Sequence, residues 1–174
     1  MIKQTGKSIN LRLAALSDAE FILALRTQTD KTRHLNPVEN NLKNQQQWLK
    51  AYQLRQQAGL EYYFIIESQQ HEPLGLVRVY DLQPESFCWG SWLIKDGAPQ
   101  TTAIQSALLI YEFGFQQLGY KKAHFDVRKA NQRVIAFHQR FGARIIGEDA
   151  LNYYFNYTYE DYLTIKQKYR RFLN

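Results

Sequence analysis

Hydrophobic and polar residues alternate in six short segments, which is the pattern of β-strands with one buried face. The clearest case is the segment 122–127, where Ala123, Phe125 and Val127 alternate with polar neighbours. Turn-forming residues at 69–73 and 83–85 separate three of the segments, so those three are predicted to pair as antiparallel hairpins. The predicted strands are residues 9–13, 62–67, 74–82, 87–94, 122–127 and 153–159.

Apolar residues at helical spacing predict the helices between these strands. Within residues 44–58, Trp48 and Tyr52 share one face, and Gly59 ends the run. Ser17 and Glu20 form a capping-box pattern that opens a shorter helix, which reaches about residue 27. The other predicted helices are residues 104–118, 131–141 and 161–172, and the predicted loops are residues 30–41 and 95–102.

The order of these elements predicts a mixed α/β (α+β) fold. Its centre is a mixed, mostly antiparallel sheet of about six or seven strands, with helices on both faces. The hairpins lead into a single β-α-β crossover, so residues 87–94 and 122–127 should be parallel neighbours. Ligands tend to bind at the carboxyl ends of such strands, which places a candidate site at the loop after residue 94.

Length and composition indicate one ordinary globular domain spanning residues 1–174, with 45% hydrophobic and 22% charged residues. No apolar run approaches the ~18 residues of a membrane span, and the first residues lack a signal-peptide core. One cysteine excludes an internal disulfide, and four scattered histidines do not predict a zinc site. We therefore expect a soluble cytoplasmic protein with no metal and no membrane partner.

The net charge of +6 is concentrated near the carboxyl terminus. Lys166, Lys168, Arg170 and Arg171 contribute four of these charges, within a basic helix at residues 161–174. The remaining charge, +6 less +4, is only +2, so we expect no nucleic-acid partner. The basic helix is interpreted as a solvated helix end, and a surface for a phosphate-bearing partner is the alternative.

The loop at residues 95–103 is the first candidate for chemistry. It joins a strand to a helix N-terminus, where free backbone N–H groups and the helix dipole favour an anion. Gly97 and Ala98 keep the backbone accessible, and Thr101 or Thr102 could cap the helix. The loop therefore predicts a pyrophosphate cradle, with an ordinary strand-to-helix connection as the alternative.

The run of residues 131–143 is the second candidate. Asn131 and His138 are seven residues apart, so they share a helix face and lie about 10.5 Å apart along its axis. Val134, Phe137 and Phe141 lie beside them, and such a stripe could line the channel of a long, thin ligand. The alternatives are that Asn131 is an N-cap and that His138 is a buried histidine with its hydrogen bonds satisfied.

These two features together resemble the GNAT superfamily of acyl-CoA-dependent N-acyltransferases. The family pattern is N-x-x-[AS]-[IV]-x-[FL]-Y-x-[KR]-x-G-F, and the residues that fit it are Asn131, Ile135, Phe137, Arg140 and Gly142. The chain departs from the family in three places. His138 replaces the usual Tyr, Ala143 replaces the usual Phe, and the loop lacks the family's glycine pair. Some family members associated with bacterial surface-polysaccharide synthesis look similar, with the same two departures.

The resemblance implies an enzyme that moves an acetyl group directly from acetyl-CoA to a primary amine. It also implies that the two parallel strands splay apart and that the pantetheine arm binds between them. His138 would protonate the departing sulfur, since an ordinary histidine is partly protonated at neutral pH. The residues expected to bind the coenzyme are Leu93, Ile94, Lys95, Gly97, Ala98, Thr101, Thr102, Ala103, Asn131, Arg133, Phe137 and Arg140. A backbone N–H near Leu93 or Ile94 would polarise the thioester carbonyl.

The acceptor pocket is expected between the loop after the first helix and the central strands. Its candidate residues are Arg33, His34, Arg78, Tyr80 and Trp89. Aromatic rings beside cations suit an amino sugar carried on a nucleotide, which is the preferred acceptor. A protein N-terminus of the ribosomal-protein type, and a non-catalytic acyl-CoA-binding domain, are the alternatives. The amine base stays open among Glu67, Asp81, Asp126, His34 and His124, and a homodimer is possible.

Overall fold

The computed structural model describes residues 2–173, and their strands form one mixed sheet. Within those residues the sheet has eight strands in the order β1-β2-β3-β4-β5-β6-β8-β7. The strands are β1 (Lys3–Thr5), β2 (Ile9–Leu13), β3 (Tyr62–Ser68), β4 (Pro73–Tyr80), β5 (Ser86–Ile94), β6 (Lys122–Arg128), β7 (Arg144–Glu148) and β8 (Asn152–Thr158). Neighbours are antiparallel except β5 and β6, which are parallel. The predicted fold class is therefore confirmed.

Helices cover both faces of this sheet. They are α1 (Ala19–Arg26), α2 (Thr29–Thr32), α3 (Leu42–Gln57), α4 (Thr102–Glu112), α5 (Gln132–Arg140) and α6 (Tyr159–Lys168). In the described part of the chain, no helix has both the length and the apolar character needed to cross a membrane.

The parallel strands β5 and β6 are paired only at their beginnings. Ser86, Phe87 and Cys88 pair with residues 122–124, and no pairing continues beyond Cys88 and His124 in the described residues. The rest of β5, to Ile94, remains paired with β4, and the rest of β6, to Arg128, remains paired with β8. The sheet therefore opens between the two strands. We call this opening the split, and it confirms the expected splayed pair.

A bulge in β5 lies at the split. Gly90 pairs with Arg78 and Leu93 pairs with Leu76, so Ser91 and Trp92 together face a single β4 residue. Ser91 has a φ of 49°, in the left-handed region that a serine seldom adopts. A bulge of this kind turns the strand and changes the direction of its side chains, which here places Ser91 and Trp92 beside the split.

Two hydrophobic clusters fill the two faces of the sheet. On one face, α1 and α3 pack on Tyr63, Ile65 and Leu76. On the other face, α4, α5 and α6 pack on a larger cluster that contains Phe64 and Phe125. These are called the α3 face and the α5 face. Because successive strand residues point to opposite faces, neighbouring residues at the split belong to different environments.

Two strands were missed by the sequence patterns, namely β1 and β7. Each lies at an edge of the sheet. β1 has only three residues, and every residue of β7 is exposed, including Ile145 and Ile146. An edge strand without a buried face lacks the alternation that reveals a strand in a sequence.

The helical segments also differ from prediction in three places. Asp18, rather than Glu20, accepts the backbone N–H of Ala15 at 2.8 Å and opens the first helical segment. Part of the predicted loop at 30–41 belongs to the short α2. The helix after the split changes to a π-helical turn at Phe113–Gln117. A Cβ at Gly114 in this turn would lie 2.1 Å from the Phe87 ring, so only glycine permits that close approach.

Candidate functional site

A cavity of about 590 Å³ lies at the split, and its walls come from both faces of the sheet. The α5 face contributes Trp89, Trp92, Phe125, Asn131, Val134 and His138. The α3 face and the loop after α1 contribute Arg26, His34, Trp48, Tyr63, Arg78, Tyr80 and Asp126. The cavity therefore lies between the first helical region and the central strands, where the acceptor pocket was expected.

His138 is a neutral group in an aromatic setting. Its side chain is 4% exposed, and its ring centroid lies 4.3 Å from that of Phe125 and 5.4 Å from that of Trp89. Burial lowers the pKa of His138 to about 3, because the charged ring would lose its hydration. The expectation that His138 is partly protonated at neutral pH was therefore wrong. A neutral ring still carries one N–H that it can donate to a sulfur.

The hydrogen bonding of His138 is incomplete as well. Its Nδ1 atom is buried and has no hydrogen-bond partner among the described residues. The alternative of a buried histidine with satisfied hydrogen bonds is therefore wrong. Because the residue also lines the cavity, the role of His138 in transfer stays a prediction that the geometry permits.

Asn131 precedes α5 and reaches the cavity with a free side chain. Although it occupies the N-cap position, its side chain accepts no capping hydrogen bond. The capping role therefore does not explain this residue, and its amide remains available to a ligand. Phe137 instead packs on Trp92 and Phe141, with centroid separations of 5.0 and 4.8 Å. Arg133 and Arg140 are exposed and lie outside the cavity wall.

The loop at residues 95–101 joins β5 to α4 as predicted, but it does not line the cavity. Lys95 and Gly97 contribute instead to a separate surface depression next to Ser8. Neither threonine caps α4. The Thr101 hydroxyl accepts from Gln105 Nε2 at 3.1 Å, and the buried Thr102 hydroxyl has no partner among the described residues.

The first turn of α4 retains unpaired donors. In the described residues, the backbone N–H groups of Ala103 and Ile104 donate to no acceptor. Ala98, by contrast, donates to the Lys95 carbonyl at 3.4 Å. An anion at this N-terminus would satisfy the two unpaired groups. The predicted cradle is thus structurally possible and stays a prediction.

Leu93 and Ile94, predicted to polarise the thioester, lie past the bulge. They pair with Leu76 and Gly75 of β4, and neither lines the cavity. The bulged residues Ser91 and Trp92 line it in their place. The sequence analysis did not predict the bulge, although Gly90 directly before it is an isolated glycine within a strand, which often marks one.

The predicted acceptor residues are divided by the fold. His34, Arg78 and Tyr80 line the cavity on the α3 side, whereas Arg33 is exposed and lies outside its wall. Trp89 also lines the cavity but belongs to the α5 face, and its indole N–H donates to the Tyr111 hydroxyl at 3.2 Å. Trp89 was predicted to contact the acceptor, and it lies instead across the cavity from His34, Arg78 and Tyr80.

Arg78 is held among aromatic rings. Its guanidinium carbon lies 4.8 Å from the Tyr80 ring centroid and 5.3 Å from that of Trp48, and its Nη2 donates to Glu61 at 3.0 Å. Burial raises the pKa of Tyr63, the neighbouring ring, to about 12, while Arg78 opposes that shift. The Tyr63 ring therefore stays uncharged at neutral pH beside the Arg78 guanidinium.

The five residues considered as the base for the acceptor amine lie in different parts of the structure. Glu67 is buried at the far end of β3, bound to Arg12 and His71. His124 lies outside the cavity wall between Ser86 Oγ and Asp81, at 2.7 and 2.8 Å. Only two of the five line the cavity, namely His34 and Asp126.

A family model described as the acetyltransferase (GNAT) domain matches residues 8–144. The chain belongs to the GNAT acetyltransferase family. Family members use acyl-CoA and act on amine acceptors, so the predicted family and enzyme class are confirmed. None of the curated proteins compared with the chain matches it.

Solved structures of GNAT proteins agree with this assignment. The chain is similar to apo FdhC, a nucleotide-linked sugar GNAT, at 39% identity and a TM-score of 0.92, covering 99% of each chain. A spermidine N-acetyltransferase from Vibrio cholerae, solved with CoA and spermine, shares 18% identity with a TM-score of 0.74. That match covers 89% of this chain and 98% of the other, and at such identity it shows the fold alone.

The sequence analysis did not identify several residues that line the cavity. Arg26 was overlooked because a basic residue at a helix C-terminus is common and indicates no site by itself. Trp48 was identified only as a member of a helix face. The useful signal was the proximity of both residues to the loop at 30–41, which flanks the expected acceptor pocket.

Proposed function

We propose that this protein transfers an acetyl group from acetyl-CoA to the primary amine of a nucleotide-linked amino sugar. The observation that supports it most is the cavity at the split. It has a neutral aromatic wall on the α5 face and guanidinium groups on the α3 face. A thioester and a charged acceptor need these two environments respectively, and the cavity joins them.

The α5 face suits an acyl thioester and its pantetheine arm. Trp89, Trp92 and Phe125 provide apolar contact, and the free Asn131 amide offers hydrogen bonds to the arm's own amides. The unpaired N–H groups at the start of α4 would bind the pyrophosphate. The residues present therefore fit the coenzyme, although the usual glycine pair is missing from the loop.

The transfer requires no covalent enzyme intermediate. Cys88 is buried, and burial raises its thiol pKa to about 12, so it stays protonated and is a poor nucleophile. In the proposed step, the amine nitrogen attacks the thioester carbonyl, a C–N bond forms and the C–S bond breaks. The sulfur leaves with the bonding electrons.

The residues at the split assist each part of this step. A backbone N–H of the bulged Ser91–Trp92 segment would stabilise charge on the carbonyl oxygen. The neutral His138 would donate a hydrogen bond to the departing thiolate, whose modest basicity does not require full protonation. The amine proton would pass to His34 or Asp126, directly or through water.

The acceptor class is supported by charge and by similarity. A nucleotide-linked amino sugar carries phosphate groups, which the arginines of the α3 face can bind. FdhC, which shares 39% identity over 99% of each chain, is a nucleotide-linked sugar GNAT. Both points favour this acceptor over a peptide N-terminus or a polyamine.

A thiol-release assay with acetyl-CoA tests the proposal. The acceptor panel consists of amino-sugar nucleotides, N-terminal peptides and polyamines, with a reaction lacking acceptor as the control. We expect release only with an amino-sugar nucleotide, and mass spectrometry should show one acetyl group on its amine. Turnover confined to peptides or polyamines would replace this acceptor. Coenzyme binding without turnover on any amine would instead indicate a non-catalytic binding domain.

A further inference from the structure

The α3 side of the cavity holds more positive than negative charge. Arg55 and Arg78 share one carboxylate, that of Glu61, which is 8% exposed. Arg55 Nε donates to Glu61 Oε2 and Arg78 Nη2 donates to Glu61 Oε1, both at 3.0 Å. The cavity itself is lined by three arginines, Arg26, Arg78 and Arg128, and by two carboxylates, Glu39 and Asp126.

Arg26, unlike Arg55 and Arg78, has no carboxylate partner in the described residues. It ends α1, is partly buried and lines the cavity. Its Nη2 donates to the Asn36 carbonyl at 3.0 Å, and no acidic side chain among the described residues lies within ion-pair distance. Burial lowers the pKa of Arg26, and the charge of Arg78 adds to that shift. The two cations therefore repel each other across the cavity wall.

Arg78 also has an unused donor. Its Nε is buried and has no acceptor among the described residues, while Nη2 is occupied by Glu61. The rings of Trp48, Tyr63 and Tyr80 surround the guanidinium and limit its access to water. A buried donor without an acceptor is costly, and a ligand oxygen that reached it would remove that cost.

We propose that Arg26 and Arg78 together bind a phosphate group of the acceptor, so that the enzyme selects amines that carry a diphosphate. This rests on the proposed function and identifies the residues that determine its specificity. Guanidinium groups match phosphate oxygens with paired hydrogen bonds, and an anion between them removes their repulsion. The same two charges would repel a polyamine.

The remaining charges of the cavity are consistent with this arrangement. Its acidic side chains are Glu39, which accepts from Asn44, and Asp126, which lies on β6 at the split. Arg128, His34 and His138 complete the ionisable lining apart from the tyrosines. An acceptor with its ammonium at Asp126 and its phosphate at the arginines would match both signs of charge.

Calorimetry with nucleoside diphosphates tests the binding site without relying on catalysis. UDP, GDP and dTDP are titrated into the full chain saturated with CoA, so that the coenzyme occupies its own diphosphate site. We expect Arg26→Gln to weaken binding of the preferred diphosphate about 10- to 100-fold, as for loss of a charged hydrogen-bonded contact. Arg170→Gln removes the same charge from an exposed residue outside the cavity wall and should leave affinity unchanged.

A second variant distinguishes loss of the phosphate contact from a folding defect. Arg26→Lys keeps the charge and loses the paired geometry, so its affinity should fall between those of wild type and Arg26→Gln. Thermal unfolding of all variants should remain close to that of wild type, because Arg26 makes one hydrogen bond to a loop carbonyl. Affinity that is equal in wild type and both Arg26 variants, or absent in wild type, overturns the phosphate site.

The outcomes separate the two proposals. If Arg26-dependent diphosphate binding occurs but no amino-sugar nucleotide is acetylated, the phosphate site stands and the proposed function fails. If the nucleotide is acetylated with an unchanged KM in Arg26→Gln, the function stands and the phosphate site fails. If both stand, Arg26→Gln lowers kcat/KM for the nucleotide-linked amine and spares the same amino sugar without phosphate.

Discussion

The two faces of the sheet meet at one cavity and provide different environments for a ligand. On the α5 face, His138 and its aromatic neighbours form a tightly packed, neutral wall. On the α3 face, Arg78 lies among aromatic rings and donates a hydrogen bond to Glu61. Aromatic residues therefore line both walls. On the α5 face they bury a neutral histidine ring, whereas on the α3 face they surround a guanidinium group.

A pair of tryptophan substitutions should show the greatest contrast between the faces. Trp89 is 3% exposed and hydrogen-bonded, so we expect Trp89→Ala to lower the free energy of unfolding by about 4 kcal/mol. Trp48 is only partly buried, so Trp48→Ala should cost about 2 kcal/mol. Urea denaturation of both variants measures the difference. Equal losses would mean that the two walls are packed alike.

His138 should make the α5 face sensitive to acid. Burial holds its folded-state pKa at about 3, whereas an unfolded chain restores about 6.5. Between these values the unfolded state binds a proton that the folded state does not. The stability contributed by the neutral ring is therefore present above pH ~6.5 and is lost as the pH falls toward 3.

The variant His138→Phe keeps an aromatic ring and removes this titration. Relative to wild type, we expect it to gain about 2 kcal/mol of unfolding free energy between pH 8 and pH 5. Urea unfolding at the two pH values provides the measurement. A wild-type-to-variant difference that is the same at both would contradict a buried, neutral His138.

Substitution of Asn131 should affect ligand binding on the α5 face and leave ligand binding on the α3 face unchanged. Its side chain makes no capping bond, so Asn131→Ala should leave stability nearly unchanged. We expect it to weaken CoA binding about 10-fold and to leave nucleoside diphosphate binding to the α3 face unaltered. Calorimetry with each ligand in turn measures both effects. Loss of both affinities together would mean that the two walls do not act independently.

The sequence predicted one face better than the other for a physical reason. On the α5 face, Asn131 and His138 belong to one short helix, so their spacing along the chain is also their spacing in space. On the α3 face, Arg26, Trp48 and Arg78 come from two helices and a strand, and only tertiary packing brings them together. No local pattern contains that information.

The same limit explains the smaller errors in the fold. The parallel pair β5 and β6 follows from a crossover that the order of elements makes plain. The exposed edge strand β7 and the bulge at Ser91 leave no periodic trace. The charge state of His138 depended on five surrounding rings, most of them distant in sequence.

The split has a kinetic consequence. Since its cavity is walled from opposite faces of the sheet, a donor held on one side leaves the other side accessible, and both substrates can be present together. Initial rates measured at several fixed concentrations of one substrate should then give intersecting double-reciprocal lines. Parallel lines, the sign of a product that departs before the second substrate arrives, have no structural basis in such an arrangement.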